Sequence, residues 1–454
     1  MSVLHRLAYR LVQAARREPV HRVLAGMERS QWWTPEQLRA DQEARFARVI
    51  RAAARTPHYA RRFRDAVDPA AFRGLDDLVR LPLLEKATLR ADPSALRDPG
   101  WKGPLNVHVT TGSSGVPLSV FRSRDAGAHG RAAQLRGRSW FGIRQGDREV
   151  LYGGLALERL GRTRARVIDR IMNRVRLDPF DLSDQVLDAT LERIRVLRPA
   201  FLYGYPSALS LLAAQALRRG AGRDLGLTLV QTSSERLYDH RRRLLREAFG
   251  CPVADEYGAA ETSILAMECP EGGLHQATEN VFVEILDERG APVPDGSEGE
   301  IVVTDLNNLA APLVRYRIGD RGRLIPGACP CGRGLPRMEI LEGSAFGTLT
   351  LPDGRRLSGV VFYFLAESFL TRPDAGLREI VVVRRGHRLE AMAVARSGGN
   401  PAHVAELGRR LEELVGTSVP IRLVDAIERR GSDKYRVLID ADRDPGGISG
   451  TSDG

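Results

Sequence analysis

A chain of 454 residues is long enough for two or more domains, and a hydrophobic fraction of 43% fits a globular protein and argues against disorder. No apolar run approaches the ~20 residues needed to cross a bilayer, so we expect no stable membrane insertion, and the basic N-terminus lacks the apolar stretch of a secretory signal. The net charge of +11 comes from basic residues interleaved with 57 acids along the chain, which argues against a nucleic-acid partner.

Helical patterns dominate the first hundred residues. The apolar spacing predicts an amphipathic helix over Glu36–Arg55. From about residue 104, short apolar runs alternate with helical patterns at Ser207–Arg219 and Asp239–Phe249. Alternating strands and helices are typical of an α/β core. The apolar runs predicted to be strands include Val150–Tyr152, Phe201–Tyr203, Leu227–Val230 and Pro252–Ala254.

Strand patterns dominate from Asn280 to Leu324, which predicts a β-rich subdomain. Beyond Gly343 the pattern is two strands, an amphipathic helix and another strand, which is enough for a small separate domain. Those four elements are expected at Arg378–Arg384, Arg388–Ala395, Ala402–Val415 and Val419–Asp425.

The expected fold class is α/β, with two domains and a tail. A large N-terminal domain over residues 1–342 contains a helical start, an α/β core and the β-rich subdomain. A small α+β domain follows over residues 343–440, and the Gly-, Asp- and Ser-rich residues 441–454 are expected to form a flexible tail. Because four cysteines do not make a disulfide framework, we expect a reducing, cytoplasmic setting.

The run Thr110-Thr111-Gly112-Ser113-Ser114-Gly115 is a candidate phosphate-binding loop. Glycines permit tight turns that expose consecutive N–H groups, and the Ser and Thr hydroxyls add donors at little steric cost. Such a concavity suits a polyphosphate, although isolated Gly/Ser/Thr clusters are usually surface turns. The loop therefore needs support from the rest of the chain.

Further motifs follow this loop in a meaningful order. They are Gly204-Tyr205-Pro206-Ser207, Ser233-Ser234-Glu235, Tyr257-Gly258-Ala259-Ala260-Glu261-Thr262, Tyr316-Arg317-Ile318-Gly319-Asp320 and Gly431-Ser432-Asp433-Lys434-Tyr435-Arg436. The ordered set resembles the adenylate-forming superfamily, specifically its phenylacetate–CoA ligase branch and the related capsular-polysaccharide-biosynthesis ligases. The resemblance extends from about Trp32 to Leu438.

The resemblance implies the nucleotide contacts. Asp320 would accept both ribose hydroxyls, Tyr257 would stack on adenine, and Glu261 would bind Mg²⁺ through its hard oxygen ligands. Val116 stands where many relatives carry lysine, and Ala260 stands where a hydroxyl residue is common, so Thr262 is a candidate to compensate. The set expected to bind ATP is Thr110, Thr111, Gly112, Ser113, Ser114, Gly115, Ser234, Glu235, Tyr257, Gly258 and Asp320.

Lys434 is the implied catalytic lysine of a mobile C-terminal domain. The chain has 68 basic residues but only three lysines, at positions 86, 102 and 434, so abundance does not explain a lysine in this motif. An ammonium group is a compact point charge, unlike the broad guanidinium fork. The resemblance implies that Lys434 bridges the substrate carboxylate and the α-phosphate, with Glu261 as the second catalytic group.

Cys269, His275, Cys329 and Cys331 form a candidate zinc site. Three cysteines and one histidine are a recognised tetrahedral ligand set, and the resemblance implies a structural clip between the core and the β-rich subdomain. The alternative is three reduced thiols and a surface histidine. The fourth cysteine, Cys251, is expected in the core.

The expected function is ATP-dependent activation of a carboxylic acid to an acyl-adenylate, followed by thioester formation with coenzyme A. Tyr152, Tyr203 and Tyr205 are the candidate acyl-pocket residues and favour an aromatic or medium-sized apolar acid. The family's hinge sequence Gly-Arg-x-Asp-Asp is replaced here by residues 342–347, which leaves open whether coenzyme A, another thiol or an amine is the acceptor.

Two alternatives to this function remain open. One is a cell-surface polysaccharide or natural-product biosynthesis ligase that forms an amide or ester from the adenylate. The other is a non-catalytic, zinc-stabilised nucleotide-binding relative, motivated by Ala260 and the altered hinge. A homodimer is also left open, because the sequence does not determine oligomeric state.

Overall fold

The computed structural model describes residues 2–16, 18–63, 74–110, 118–152, 162–177, 184–342, 348–351, 356–358, 362, 365–366, 369–370, 376–386, 388–395, 402–429, 437–441 and 448–451. Across these ranges, no helix is both long enough and apolar enough to cross a membrane.

Helices open the chain, as the sequence predicts. They are α1 (Ser2–Ala15), α2 (Val20–Ser30), α3 (Pro35–Ala53), α4 (Pro57–Phe63) and α5 (Lys86–Ala91). Thr34 begins α3 with a capping box, because its hydroxyl accepts from the Gln37 N–H at 3.4 Å and the Gln37 side chain accepts from the Thr34 N–H at 3.0 Å. The predicted helix at Glu36–Arg55 is thereby confirmed, with its ends shifted by one or two residues.

A β-hairpin brackets the candidate phosphate loop. Strands β1 (Leu105–Thr110) and β2 (Leu118–Ser123) are antiparallel, and Thr110 pairs with Leu118. Ser123 then caps α6 (Arg124–Ser139) by accepting a hydrogen bond from the Ala126 N–H at 3.2 Å. The hairpin thus connects the loop directly to a long helix.

One eleven-stranded sheet organises the core. The strands β4, β3, β5, β6 and β7 are parallel neighbours, and β8, β9, β13, β12, β11 and β10 continue the sheet in antiparallel pairs. The parallel strands are β3 (Glu149–Tyr152), β4 (Arg174–Leu177), β5 (Phe201–Gly204), β6 (Leu229–Ser233) and β7 (Val253–Ala259). The antiparallel strands are β8 (Ser263–Glu268), β9 (Leu274–Gln276), β10 (Val281–Leu286), β11 (Gly299–Asp305), β12 (Tyr316–Ile325) and β13 (Arg337–Glu342).

Helices cover both faces of the parallel strands, as expected for an α/β core. Val150, Leu202 and Val230 are buried on one face, in a cluster with side chains of three helices: α8 (Asp184–Leu197), α9 (Pro206–Arg218) and α10 (Asp239–Phe249). Phe201 and Leu229 are buried on the other face beside Ile143, which follows α6. Helix α7 (Arg162–Ile171) precedes β4 in this part of the chain.

The C-terminal part contains a second, four-stranded sheet in the order β18-β17-β16-β20. Its elements include β16 (Leu377–Arg385), β17 (Arg388–Ala395), α11 (Ala402–Val415), β18 (Ile421–Leu423) and β20 (Leu438–Asp440). Two small pairs accompany it: β14 (Thr348–Thr350) with β15 (Arg356–Ser358), and β19 (Ala426–Arg429) with β21 (Ile448–Thr451). Strand β21 lies within the expected flexible tail, so part of that segment is ordered by hydrogen bonding to β19.

Candidate active site

The carboxyl ends of the parallel strands meet at one edge of the large sheet. Tyr152, Gly204, Ser233 and Ala259 are the last residues of β3, β5, β6 and β7. In open α/β sheets this edge is where ligands bind. The predicted motifs that begin at Gly204, Ser233 and Tyr257 therefore share one edge.

Several predicted residues lie outside the described ranges. Thr110 ends β1, but Thr111, Gly112, Ser113, Ser114 and Gly115 belong to residues 111–117, which the structure does not describe. The same holds for Lys434 and for the hinge residues 343–347. Their assigned roles stay predictions.

Two tyrosine–carboxylate hydrogen bonds join the motifs at 257–262 and 316–320. The Tyr257 hydroxyl donates to Asp320 Oδ2 at 2.8 Å, and the Tyr316 hydroxyl donates to Glu261 Oε1 at 3.0 Å. Burial, followed by the nearby Asp320 carboxylate, raises the pKa of Tyr257 well above its usual value, so this phenol stays a donor. The predicted adenine, ribose and Mg²⁺ residues are thus brought together.

Arg122 holds the backbone of the Glu261 turn. Its guanidinium, only 2% exposed, donates to the Glu261 carbonyl at 2.8 Å and lies 3.5 Å from the buried Asp305 carboxylate. Asp305 in turn accepts from the backbone N–H groups of Asn307 and Asn308. Because Arg122 lies on β2, it connects the strand after the candidate phosphate loop to the candidate metal ligand.

The carboxylate of Glu261 fits a hard divalent cation, which prefers oxygen ligands. Its neighbour Thr262 is fully buried, and its hydroxyl has no hydrogen-bond partner within the described part of the chain. Ala260, by contrast, is exposed and offers no side-chain donor. A buried hydroxyl without a partner next to Glu261 is the feature expected of a site that receives a polar ligand.

The Ser234–Glu235 segment begins in a strained conformation. Ser234 has φ of 70°, a left-handed value that residues other than glycine rarely adopt. Such strain persists only where the surrounding structure enforces it, and it is frequent at functional sites. Glu235 follows with its carboxylate 3.7 Å from the buried Arg241 guanidinium. The Ser234 backbone conformation and the Glu235–Arg241 ion pair together define the path of the chain as it leaves β6.

The three candidate acyl-pocket tyrosines do not share one face of the sheet. Tyr203 pairs in register with Leu151, so Tyr203 and Tyr152 point to opposite faces. Tyr152 is fully buried in the α8–α10 cluster, against which Tyr205 also packs. Tyr203 instead donates to Glu256 at 2.6 Å and lies beneath the Arg138 guanidinium. The structure brings Tyr152 and Tyr205 together and separates Tyr203 from them.

The four candidate zinc ligands converge. The ligand atoms of Cys269, His275, Cys329 and Cys331 all lie within 4.8 Å of one another. Cys269 Sγ and Cys329 Sγ are 3.7 Å apart, close to the edge of a tetrahedron with Zn–S bonds of about 2.3 Å, and too far apart for a disulfide. Cys331 Sγ lies 3.2 Å from His275 Nε2.

The histidine is oriented for metal binding. Its Nδ1 lies 2.8 Å from the Leu335 carbonyl, to which it donates, and this leaves Nε2 as the lone-pair nitrogen facing the thiols. Burial lowers the pKa of His275 to about 4, so the ring is neutral. A Cβ at Gly273 would lie 3.0 Å from Cys329 Sγ and 3.4 Å from His275 Nε2, so glycine keeps this side of the cluster open.

Comparison with known proteins identifies the family. Residues 172–309 match the family model described as AMP-binding enzyme. A phenylacetate–coenzyme A ligase of Thermus thermophilus is 30% identical over 331 residues, which cover 68% of this chain and 70% of that protein. The chain belongs to the phenylacetate–CoA ligase family. Its resemblance to the adenylate-forming superfamily, predicted from the ordered motifs, is thereby confirmed.

Other relatives extend the likeness over most of the chain. A phenylacetate–coenzyme A ligase of Escherichia coli is 26% identical over 431 residues, covering 86% of this chain and 91% of that protein. The Staphylococcus aureus protein CapK is 24% identical over 182 residues, 39% of each chain. A solved 2-hydroxyisobutyryl-CoA ligase, 21% identical, superposes with a TM-score of 0.69 over 91% of both chains, which confirms the α/β fold.

Sequence reasoning missed the role of two residues that contact Glu261 in the candidate site. Tyr316 stands in a motif that was recognised, and the four-residue step from Tyr316 to Asp320 repeats the step from Tyr257 to Glu261. That repeated spacing was an available signal. Arg122 carried no local signal, because an arginine in a strand usually faces solvent.

Proposed function

We propose that this AMP-forming acid–CoA ligase activates an aromatic or medium-sized apolar acid with Mg²⁺ and ATP. A carboxylate oxygen of the acid attacks the α-phosphorus, and pyrophosphate leaves with the electrons of the broken P–O bond. The sulfur of coenzyme A then attacks the acyl carbon, and AMP leaves. The crossed tyrosine–carboxylate bonds carry the proposal, because they link the residues proposed to bind adenine, ribose and Mg²⁺ to one another.

Each predicted site residue has a proposed role. Asp320 accepts the two ribose hydroxyls, Tyr257 stacks on adenine, and Glu261 supplies the oxygen ligand for Mg²⁺. The cation would neutralise charge on the phosphates. Lys434 stabilises the transition-state charge on the α-phosphate, so catalysis is mainly positioning and electrostatic stabilisation.

The substrate class rests on the apolar face of the sheet. Tyr152 and Tyr205 belong to one apolar cluster near the carboxyl edge, which suits an aryl or similar apolar acyl group. Tyr203 is bound to the polar network of Arg138 and Glu256 on the other face. We therefore assign acyl contact to Tyr205 ahead of Tyr203, and phenylacetate, named for the relatives, heads the substrates to test.

The first experiment is ATP–pyrophosphate exchange with a panel of aryl, fatty and amino acids, followed by detection of the acyl-CoA. Lys434→Ala should reduce exchange by about 100-fold or more, since it removes a transition-state charge. Lys102→Ala, another of the three lysines and exposed, is the matched control and should keep wild-type exchange.

The outcomes separate the candidate functions. Exchange with an aryl acid and formation of its CoA thioester support the proposal. Exchange without thioester, but with an amide or ester formed from an added amine or sugar, would favour the polysaccharide-type ligase suggested by the partial likeness to CapK. ATP binding without exchange for any acid would contradict both.

We also propose that the Cys269–His275–Cys329–Cys331 cluster holds a structural Zn²⁺. All four tetrahedral positions are filled by protein side chains, which is typical of structural and not catalytic zinc. The purified chain should contain about one zinc per molecule, measured by atomic emission. His275→Ala and Cys329→Ser should lose the metal and melt at a lower temperature.

Cys251→Ser is the matched control for the metal site. Burial raises the pKa of the Cys251 thiol to about 11, and this cysteine lies outside the cluster, so its replacement should leave the zinc content unchanged. A wild-type chain that is free of zinc after expression in zinc-supplemented medium would contradict the assignment.

A further inference from the structure

The two nucleotide motifs exchange hydrogen bonds reciprocally. In each motif a tyrosine stands four residues before an acid, and each tyrosine binds the acid of the other motif. The strands that carry them, β7 and β12, are separated in the sheet by β8, β9 and β13. In a flat sheet they would be about 19 Å apart, so the sheet must curl to let these side chains meet.

Tyr316 and Arg122 hold Glu261 from two directions. Tyr316 is fully buried and binds one oxygen of the side-chain carboxylate, whereas Arg122 binds the backbone carbonyl of the same residue. Glu261 itself is only 8% exposed. With one carboxylate oxygen fixed by a donor, the direction of the second oxygen is defined before any ligand arrives.

We propose that Tyr316 is a positioning residue that aims the Glu261 carboxylate at the divalent cation accompanying ATP. This inference rests on the proposed function. Tyr257 holds Asp320 by an equivalent bond, but Asp320 is the proposed ribose acceptor, and a carboxylate has about four acceptor sites to share. Loss of the two hydroxyls should therefore have different effects: Tyr316 governs metal affinity and Tyr257 governs nucleoside recognition.

The experiment compares Tyr316→Phe with Tyr257→Phe in the full-length enzyme. Mn²⁺ binding is measured by electron paramagnetic resonance in the presence of a non-hydrolysable ATP analogue. Tyr316→Phe should weaken Mn²⁺ binding about tenfold, the equivalent of one charge-assisted hydrogen bond, whereas Tyr257→Phe should change it less than about twofold. In the exchange assay, raising Mg²⁺ should restore most of the activity of Tyr316→Phe and none of the activity lost in Tyr257→Phe.

A double variant tests whether Tyr316 acts through Glu261. In a Glu261→Gln background, Tyr316→Phe should cause no further loss of Mn²⁺ affinity, because the side chain it positions is no longer a carboxylate. Wild-type Mn²⁺ affinity in a folded Tyr316→Phe enzyme would overturn the inference, as would an equal loss in both tyrosine variants.

Folding and the proposed function are controlled separately. If Tyr316→Phe does not fold, p-aminophenylalanine at position 316 keeps the ring and a weaker donor, and should lower Mn²⁺ affinity about threefold; unchanged affinity there overturns the inference. Lack of exchange by the wild-type enzyme would contradict the proposed function. Wild-type exchange together with an unaffected Tyr316→Phe would contradict only this inference.

Discussion

Asp255 and Glu268 are neighbouring acids on strands β7 and β8, and burial raises the pKa of both. The Asp255 carboxylate accepts from the Thr232 hydroxyl at 2.7 Å, and its own backbone N–H donates to Glu268 at 2.7 Å. Burial raises the pKa of Asp255 to about 7 and also raises the pKa of Glu268, despite the Arg242 guanidinium 2.9 Å from Glu268. Asp255 lies in the first half of β7, four residues before the carboxyl end of that strand.

The raised pKa of Asp255 makes folding stability depend on pH. Between about pH 4 and pH 7 the folded chain keeps a proton that the unfolded chain releases, so the free energy of unfolding falls as pH rises, by at most about 1.4 kcal/mol per pH unit. Asp255→Asn keeps the acceptor for Thr232 and should flatten this slope. Urea unfolding from pH 5 to pH 8 measures it.

The matched control is Asp76→Asn, because the Asp76 side chain is 93% exposed. This variant should reproduce the wild-type dependence of stability on pH. If Asp255→Asn retains the full wild-type slope, the proton uptake belongs to another group.

At the scale of elements, glycines determine how closely helix α6 approaches β8. A Cβ at Gly130 would overlap the hydroxyl of Ser263 and lie 2.8 Å from its Cβ, and a Cβ at Gly137 would overlap Met267. Gly127, on the same helix, has nothing within 4 Å of its added Cβ. Only the residues that face the sheet therefore require glycine.

This difference within one helix gives a paired prediction. Gly130→Ala should destabilise the protein by about 1–3 kcal/mol, since Ser263 has a left-handed φ of 71° and little freedom to move. Gly127→Ala should be neutral or stabilise by up to about 1 kcal/mol through helix propensity. Urea unfolding of both variants measures the change in the free energy of unfolding. Equal changes in the two variants would contradict this account of the helix–sheet contact.

At the scale of the whole molecule, the two predicted domains share buried surface. One continuous apolar cluster contains side chains of β3 and β5–β7 together with Leu351, Phe362, Phe369 and Leu407 of the C-terminal part. The Arg236 guanidinium donates to the Leu341 carbonyl, near the end of β13 and directly before the hinge residues. This hydrogen bond connects the loop after β6 to the residues just before the predicted hinge.

That contact should matter more for the second half-reaction than for the first. Arg236→Ala removes this hydrogen bond to Leu341. We expect thioester formation to slow about three- to tenfold while exchange changes less than about twofold, because the domain rotation predicted for the second step would pass through this segment. Single-turnover transfer from preformed acyl-adenylate to coenzyme A measures the second step. Arg323→Ala, which removes an exposed pair with Glu339, is the control and should change neither rate.

The sequence by itself determined the elements, their order and the family. Helices α10 and α11 and strand β17 have the predicted bounds, because the spacing of apolar residues is a local property of the chain. Other boundaries moved: β7 runs on to Ala259 because it pairs with both β6 and β8, which no local pattern records. The convergence of Cys269 and His275 with Cys329 and Cys331 was inferred from ligand type and resemblance, and the structure brings the four together.

Only the tertiary structure decided which side chains meet. Strand register places Tyr152 and Tyr203 on opposite faces, and register depends on long-range pairing and not on local sequence. The curl of the sheet brings Tyr316 to Glu261 across three intervening strands. Arg122 is buried by the folded chain, and its guanidinium therefore donates to the Glu261 carbonyl and not to solvent. Local patterns encode the elements, but contacts between distant strands are fixed only when the whole sheet closes on its core.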